Sequence, residues 1–257
     1  MSTTQRAYTD EDLPRLLSLI EHADSVELKA TVAEAHQRSA VAALALDPLE
    51  AQIRQVYFFD TPDLALSRHG VVVRARRVQK RRDDSVVKLR PIDPAELPKR
   101  VRGSAAFTAE VDALPGGFVC SGTMKSMLGA DDVRETVSGH KPIHKLFSKE
   151  QRALFADHAP EGITLDDLAV LGPVFVLKLK QLPEGFDRRL VSELWLYPDG
   201  SRILELSTKC APSEAFQVAA ETRGFLANRG LDLGGEQQPK THKALEFFSA
   251  QLAAQDG

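Results

Sequence analysis

Cysteine is nearly absent from this chain. The two that occur, Cys120 and Cys210, are too few and too far apart in sequence to build a disulfide scaffold or a thiolate zinc site. A reduced, cytoplasmic setting is the expectation that goes with that scarcity. Long apolar runs are missing too. None approaches the roughly 20 residues that a membrane helix requires, so no membrane partner is expected. Residues 1–12 are polar and offer no apolar segment of the kind a secretory signal carries. A dominant charge is also lacking: the formal net charge of -3 leaves no global basic field, and nucleic acid is not an expected partner. Any anion site must therefore come from local clustering of Lys and Arg. Neither a repeat of fixed period nor a low-complexity tract interrupts the sequence. His69, His140 and His144 show no metal-ligand spacing, and Trp195, the single tryptophan, reads as core rather than as a base-stacking platform.

What is present is a chain of 257 residues, 43% hydrophobic and 27% charged, enough to bury one sizeable core. Leu13, Leu16, Leu17 and Ile20 recur at helical spacing behind an acidic first turn at residues 10–12, which predicts a short N-terminal helix. From Ser25 the period changes to two. Val26, Leu28 and Val32 alternate with Ser25, Glu27, Lys29 and Thr31, the pattern of a strand with one apolar and one polar face. Residues 39–46 read as a short helix and 52–60 as a strand that ends in the turn Asp60-Thr61-Pro62-Asp63. After Gly70, Val71 and Val73 oppose Val72, Arg74 and Arg76. Asp83-Asp84 reads as a turn, and beyond it Val87 and Leu89 oppose Lys88 and Arg90. Residues 91–104, rich in Pro, Lys, Arg and Glu, read as a mobile loop. A strand over 107–111 carries Thr108, Glu110 and Asp112 on its polar side, and 141–157 is mostly helical. The last third returns to strands at 174–182, 188–197 and 203–209, followed by helices over 213–228 and 241–252.

Charge at every second strand position has two readings. One is a solvated outer face, the commoner fate of such patterns. The other follows from the order of signs: Glu27 and Lys29, Arg74 and Arg76, Lys88 and Arg90, Lys178 and Lys180, and Glu205 and Lys209 recur as same-face pairs opposite Val and Leu. Helices covering the apolar set would turn the charged set inward, and closure of about eight strands into a barrel encloses room for one small ligand. Cations converging there repel one another unless an anion sits among them, and a phosphate chain suits both Arg forks and Lys point charges. The carboxylates Glu27, Glu110, Glu193 and Glu205 then need a bridging divalent cation, and Mg²⁺ is commonly held by one or two carboxylates plus phosphate oxygens.

These residues resemble those of the CYTH, or triphosphate tunnel metalloenzyme, superfamily. Ser25-Val26-Glu27-Leu28-Lys29 is similar to its opening ExExK strand. Tyr57-Phe58-Phe59-Asp60-Thr61-Pro62-Asp63, with Arg74-Ala75-Arg76, resembles its YFDTPD-type turn and RxR pair. Val87-Lys88-Leu89-Arg90 resembles the next basic strand, residues 146–152 a helical stretch of bacterial members, residues 199–206 the late EIE strand, and His242-Lys243-Ala244-Leu245 the C-terminal lysine helix. The resemblance implies an α+β fold, a closed eight-stranded antiparallel β-barrel with flanking helices. It divides the chain into an N-terminal helix or extension over 1–22 and a single tunnel domain over 23–252. It places Lys29, Arg74, Arg76, Lys88, Arg90, Lys178, Lys180 and Lys243 on phosphates and Glu27, Glu193 and Glu205 on a metal, Mg²⁺ or Mn²⁺, with Lys29, Glu27 and Arg76 as the catalytic set. The implied activity is hydrolysis of a triphosphate or polyphosphate.

Two positions depart from that pattern. Ser25 stands where the first acid of ExExK is expected, and Ser207 where the second acid of EIE is expected, which weakens the metal site. Three functions stay open: a metal-dependent triphosphatase, a non-catalytic polyphosphate- or nucleotide-binding module, and an adenylyl cyclase. The register of Lys178 and Lys180, the choice between Lys240 and Lys243, and the oligomeric state, a homodimer among the options, stay open as well.

Overall fold

The computed structural model describes residues 12–231 and 240–255. The N-terminal extension before Asp12, with most of the expected acidic first turn, lies outside the described residues. Helix α1 (Asp12–His22) leads into strand β1 (Ser25–Val32), helix α2 (Gln37–Ala43) and strand β2 (Gln52–Asp60). Helix α3 (Ala65–Arg68), strands β3 (Val71–Val78) and β4 (Asp84–Leu89), and helix α4 (Lys99–Arg102) follow. Next come β5 (Phe107–Leu114), β6 (Gly117–Met127), α5 (Asp132–Val137) and α6 (Lys149–His158). Strands β7 (Ala169–Gln181), β8 (Leu190–Leu196) and β9 (Arg202–Cys210) precede α7 (Ala215–Asn228) and α8 (Lys240–Gln255). Among the described residues no helix is long and apolar enough to cross a membrane.

The nine strands close into a barrel in the order β1-β5-β6-β4-β3-β2-β7-β8-β9. The sequence led to eight strands, all antiparallel, and both features need correction. The additional strand is β6, whose alternation is blurred by Gly117, Ser121, Gly122, Thr123 and Ser126. A closed ring with an odd number of strands cannot alternate direction all the way round. The mismatch falls between β1 and β5, which pair in parallel, with Ser25 opposite Glu110 and Glu27 opposite Asp112. Residues 91–104, read as a loop, contain α4 and bury Pro94 and Val101 against the barrel.

Helices wrap most of the outside, because the Val- and Leu-bearing faces point outward. Leu66, Val101, Val133, Leu154 and Phe155, from α3 to α6, cover Val71, Val73, Val87, Leu89 and Phe107. Ala40 of α2, Leu44 just after it, and Phe225 and Leu226 of α7 cover Leu190, Leu204 and Leu206. Leu16, Leu19 and Ile20 of α1 cover Val26 and Val111. Helix α8 does something different. Its Ala244, Leu245 and Phe248 pack on Val56, Phe58, Val174, Val176, Trp195 and Ile203, residues that share the inner face with the lumen charges. The helix therefore fills one part of the barrel interior with an apolar plug. A register shift between β2 and β7 brings both Leu171 and Val174 into that plug. Gly172 sits there at φ 145, where an added Cβ would come within 2.9 Å of the Val56 carbonyl oxygen.

One polar anchor ties a wrapping helix to the wall. Gln151, fully buried in α6, donates to the carbonyl oxygens of Ser85 and Met124 at 3.0 Å each, and its own carbonyl oxygen accepts from Ser85 and from the Ser148 backbone. Gln151→Ala would strand these groups in an apolar layer. A loss of about 2–4 kcal/mol is expected in urea denaturation, from several hydrogen bonds at roughly 1 kcal/mol each plus buried unsatisfied partners.

Candidate functional site

The inner face of the barrel carries a connected set of charges. On β1, Lys29 bridges Glu27 at 2.9 Å and Asp112 of β5 at 2.6 Å. Lys88 and Arg90 approach the other oxygen of Asp112 at 3.7 and 3.5 Å. Asp112 is fully buried, and among the described residues that Oδ2 has no hydrogen-bond partner. On β3, Arg76 makes a two-pronged contact with Asp84, 2.8 Å from Nε and 3.0 Å from Nη2, which fixes its plane. On β7, Lys178 donates to Glu193 at 2.6 Å. Lys240, the first residue of α8, reaches both Glu193 and Glu205 at 2.6 Å and stands 4.9 Å over the Trp195 ring.

Arg74 differs from all of these. It makes no ion pair or side-chain hydrogen bond among the described residues, and its Nε is buried without a partner. Burial, with Arg76 beside it, holds its guanidinium down to about 10. Asp84 and Glu193 oppose that fall without touching the guanidinium. An enclosed cation with no direct ion pair is a costly arrangement, and an anion is what relieves it.

The carboxylates respond to the lysines. Burial alone would raise Glu27, but the Lys29 ammonium, helped by Lys240 and a hydrogen bond from Ser207, brings it to about 2. Glu193 is held well below its usual range by Lys240 and Lys178 despite its burial. Glu110 goes the other way, raised by burial and by the neighbouring Glu27 charge, and it pairs with Lys209 and accepts from Ser25. Glu27, Glu110 and Asp112 each offer an oxygen within 4.8 Å of the others, a grouping that could hold a metal ion.

Solved structures with this architecture exist. A candidate adenylate cyclase from Bacillus halodurans matches over 86% of this chain and 97% of its own, at 12% identity and a TM-score of 0.59. HpAC1 from Hippeastrum, a candidate adenylyl cyclase with a dominant triphosphatase activity, matches over 82% of this chain and 91% of its own, at 15% identity and a TM-score of 0.60. This chain shares their fold, a closed β-barrel wrapped by helices. No family model and no curated protein matches the sequence.

Within the barrel, Lys29, Arg74, Arg76, Lys88, Arg90 and Lys178 lie on the inner face with Glu27, Glu193 and Glu205. Lys180 is exposed at the end of β7. Lys243 lies over the Tyr197 ring at 4.9 Å, while Lys240 one turn earlier is the α8 lysine that enters the charged network. Glu193 and Glu205 do not join Glu27 in a metal-sized group among the described residues; Lys240 holds them instead. The acids beside Glu27 come from β5. The alternation along residues 107–112 puts Glu110 and Asp112 on one polar face, but nothing local in the sequence signals that β5 closes the barrel against β1. Asp84, read as part of a turn, is instead the first residue of β4 and pairs with Arg76 and Lys125, and neither Lys125 nor Arg54 stood out in the sequence pattern. Trp195 is core, with its indole N–H donating to Glu193 at 3.2 Å.

Two expectations follow. Lys240→Met removes the only ion-pair partner of Glu205 among the described residues and one of two for Glu193. A buried charge left unpaired costs about 3–5 kcal/mol, so a drop of that order is expected by chemical denaturation. Lys88 supplies a pH dependence. Burial pulls it from 10.5 down to about 8, Lys29, Arg74 and Arg90 add to the fall, and Asp112 opposes it. Between those two values the unfolded chain holds more protons than the folded one. The cost of burying the ammonium is therefore complete below about 8 and fades as pH rises towards 10.5. Lys88→Met should be more stable than the parent at neutral pH, by up to about 3 kcal/mol at roughly 1.4 kcal/mol per pKa unit. Denaturation curves taken from neutral to strongly alkaline pH should show that advantage shrinking to nothing.

Proposed function

We propose that the tunnel binds the phosphate chain of a triphosphate or polyphosphate and hydrolyses it with the help of a divalent metal. The observation that carries this reading is Arg74, an enclosed guanidinium flanked by Arg76 and Lys88 that, among the described residues, has no ion-pair partner and feels Asp84 and Glu193 only from a distance. A phosphate chain supplies several anionic oxygens along a line, and the alternation of cations along β3 and β4 presents donors in the same manner. Arg76, already oriented by Asp84, would present its fork without further ordering, and Lys29, Lys88 and Arg90 would add point charge that stabilises the transition state. The fold shared with HpAC1, whose dominant activity is that of a triphosphatase, supports the same reading.

The acids fit a metal of the hard, oxygen-loving kind. Mg²⁺ or Mn²⁺ would be held by Glu27, Glu110 and Asp112, whose ligand atoms already lie close together and one of whose oxygens, Asp112 Oδ2, lacks a hydrogen bond. Such an ion, when bound, neutralises phosphate charge and makes water a better nucleophile at neutral pH. Glu27, at about 2, stays a carboxylate over the whole working range. The alternative set, Glu27 with Glu193 and Glu205, requires Lys240 to withdraw first. Ser25 and Ser207, in place of two acids, donate to Glu110 and Glu27 and so orient the carboxylates that remain.

A second reading has its own support. Each of Glu27, Glu110, Asp112, Glu193 and Glu205 already carries a lysine, which favours a tunnel that binds phosphate without metal. One experiment separates the two. Phosphate release from tripolyphosphate is measured with Mg²⁺ or Mn²⁺, alongside calorimetry with and without metal. The hydrolase reading expects metal-dependent release that Glu27→Gln lowers by about a hundredfold or more. Tight binding in chelator with no release supports the binding module. Neither release nor binding refutes both, and cyclic AMP formed from ATP would point to a cyclase instead.

A further inference from the structure

The lumen cations divide by whether they have partners. Lys29, Arg76, Lys88, Arg90, Lys178 and Lys240 all face carboxylates. At one end of the barrel the pattern stops. There β2 and β8 begin, β3 and β7 end, and residues 79–83 link β3 to β4. Arg54, Arg81, Lys180 and Arg189 stand at that end, and among the described residues none has a carboxylate partner or stacks on an aromatic ring. Arg54 is half-buried on the inner face, opposite Val78 of β3 and Val176 of β7, and among the described residues its guanidinium donates only to Gln52 Oε1, at 3.1 and 2.9 Å. The four are close enough to act on one another. Lys180 is pulled down by burial and then by Lys178, Arg54, Arg189 and Arg81; Arg54 is pulled down by burial and by Arg76 and Arg81, against Glu193 and Asp84.

Position matters as much as charge. Along β2 and β3, Phe58 pairs with Arg74, Val56 with Arg76 and Arg54 with Val78, so Arg74, Arg76 and Arg54 form successive steps towards that end. The unpartnered guanidinium of Arg74 thus leads, past Arg76, to a second group of unpartnered cations. A nucleoside there would need a ring to stack on or acceptors for its base edge, and these four side chains offer only cationic donors.

We propose that Arg54, with Arg81, Lys180 and Arg189 around it, is a second anion subsite that takes phosphates beyond the third of a chain, so that the tunnel prefers linear inorganic polyphosphate to tripolyphosphate and to nucleoside triphosphates. The inference rests on the proposed function and adds chain length to it. Arg54 is then the residue that distinguishes long from short chains.

Calorimetry tests it with three probes, tripolyphosphate, a long-chain linear polyphosphate and ATP, each at several salt concentrations, on the parent and on Arg54→Gln. The expected result is tightest binding of the long chain. Arg54→Gln should weaken that binding about tenfold or more, the worth of a charge-assisted contact, and reduce its salt slope by about one. Tripolyphosphate affinity should change by less than about twofold. Lys180→Gln/Arg189→Gln, both at exposed positions, should give the same pattern with little risk to folding. Equal losses for tripolyphosphate and the long chain would overturn the proposal, because Arg54 would then belong to the main cage. So would no loss for either, or ATP binding as tightly as the long chain. A parent protein that binds tripolyphosphate but gains nothing from a longer chain sinks this inference alone, whereas failure to bind tripolyphosphate sinks the proposed function with it.

Discussion

Enclosing many ionisable side chains in one barrel is the constraint from which the rest of this structure follows. A charge taken out of water is tolerated only beside an opposite charge or a dense set of hydrogen bonds. The lumen meets that demand by chaining its groups: Lys29 joins Glu27 to Asp112, Lys240 joins Glu193 to Glu205, and Arg76 is clamped on Asp84. Pairs of this kind add little net stability, since the gain roughly offsets the loss of solvation. What they provide is definition, holding each side chain in one place before any ligand arrives. Against that background the cations without partners, Arg74 deep inside and Arg54 further along, are the groups with unmet demand for an anion.

The architecture makes such an interior affordable by inverting the usual arrangement of a strand. Val and Leu faces point outward, where α1 to α7 bury them, and the polar faces point inward. Helix α8 is the exception that sets the tunnel's character. By packing Leu245 and Phe248 on inner-face residues it seals part of the interior with hydrocarbon, and it carries Lys240 into the charged zone at its first turn. The apolar plug and the ionic network are therefore coupled through one helix: what holds α8 in place also holds the ammonium between Glu193 and Glu205.

The two serines where acids were expected take on a different meaning in three dimensions. Ser207 donates to Glu27 and Ser25 to Glu110, so each supports a carboxylate that is still present. The acids gather on β1 and β5, the one parallel pair in the barrel, rather than on β1, β8 and β9. That shift depends on the closure between β1 and β5, which brings together residues far apart in the chain.

Period-two patterning determined a great deal by itself. The alternation of Glu27 with Leu28, Arg74 with Ala75 and Lys88 with Leu89 was enough to separate an apolar from a charged face on most strands, and the Asp60–Asp63 turn and RxR pair pointed to the tunnel fold. Alternation has no sign, however. It says that two faces differ and leaves open which one looks inward, and a strand such as β6, rich in Gly, Ser and Thr, barely registers. Only the tertiary structure decided the ninth strand, the parallel seam, the choice of Lys240 over Lys243 at the network and the meeting of Glu27 with Glu110 and Asp112. Each of these depends on which strands become neighbours when the sheet closes, a long-range outcome of packing and hydrogen bonding that no local pattern encodes.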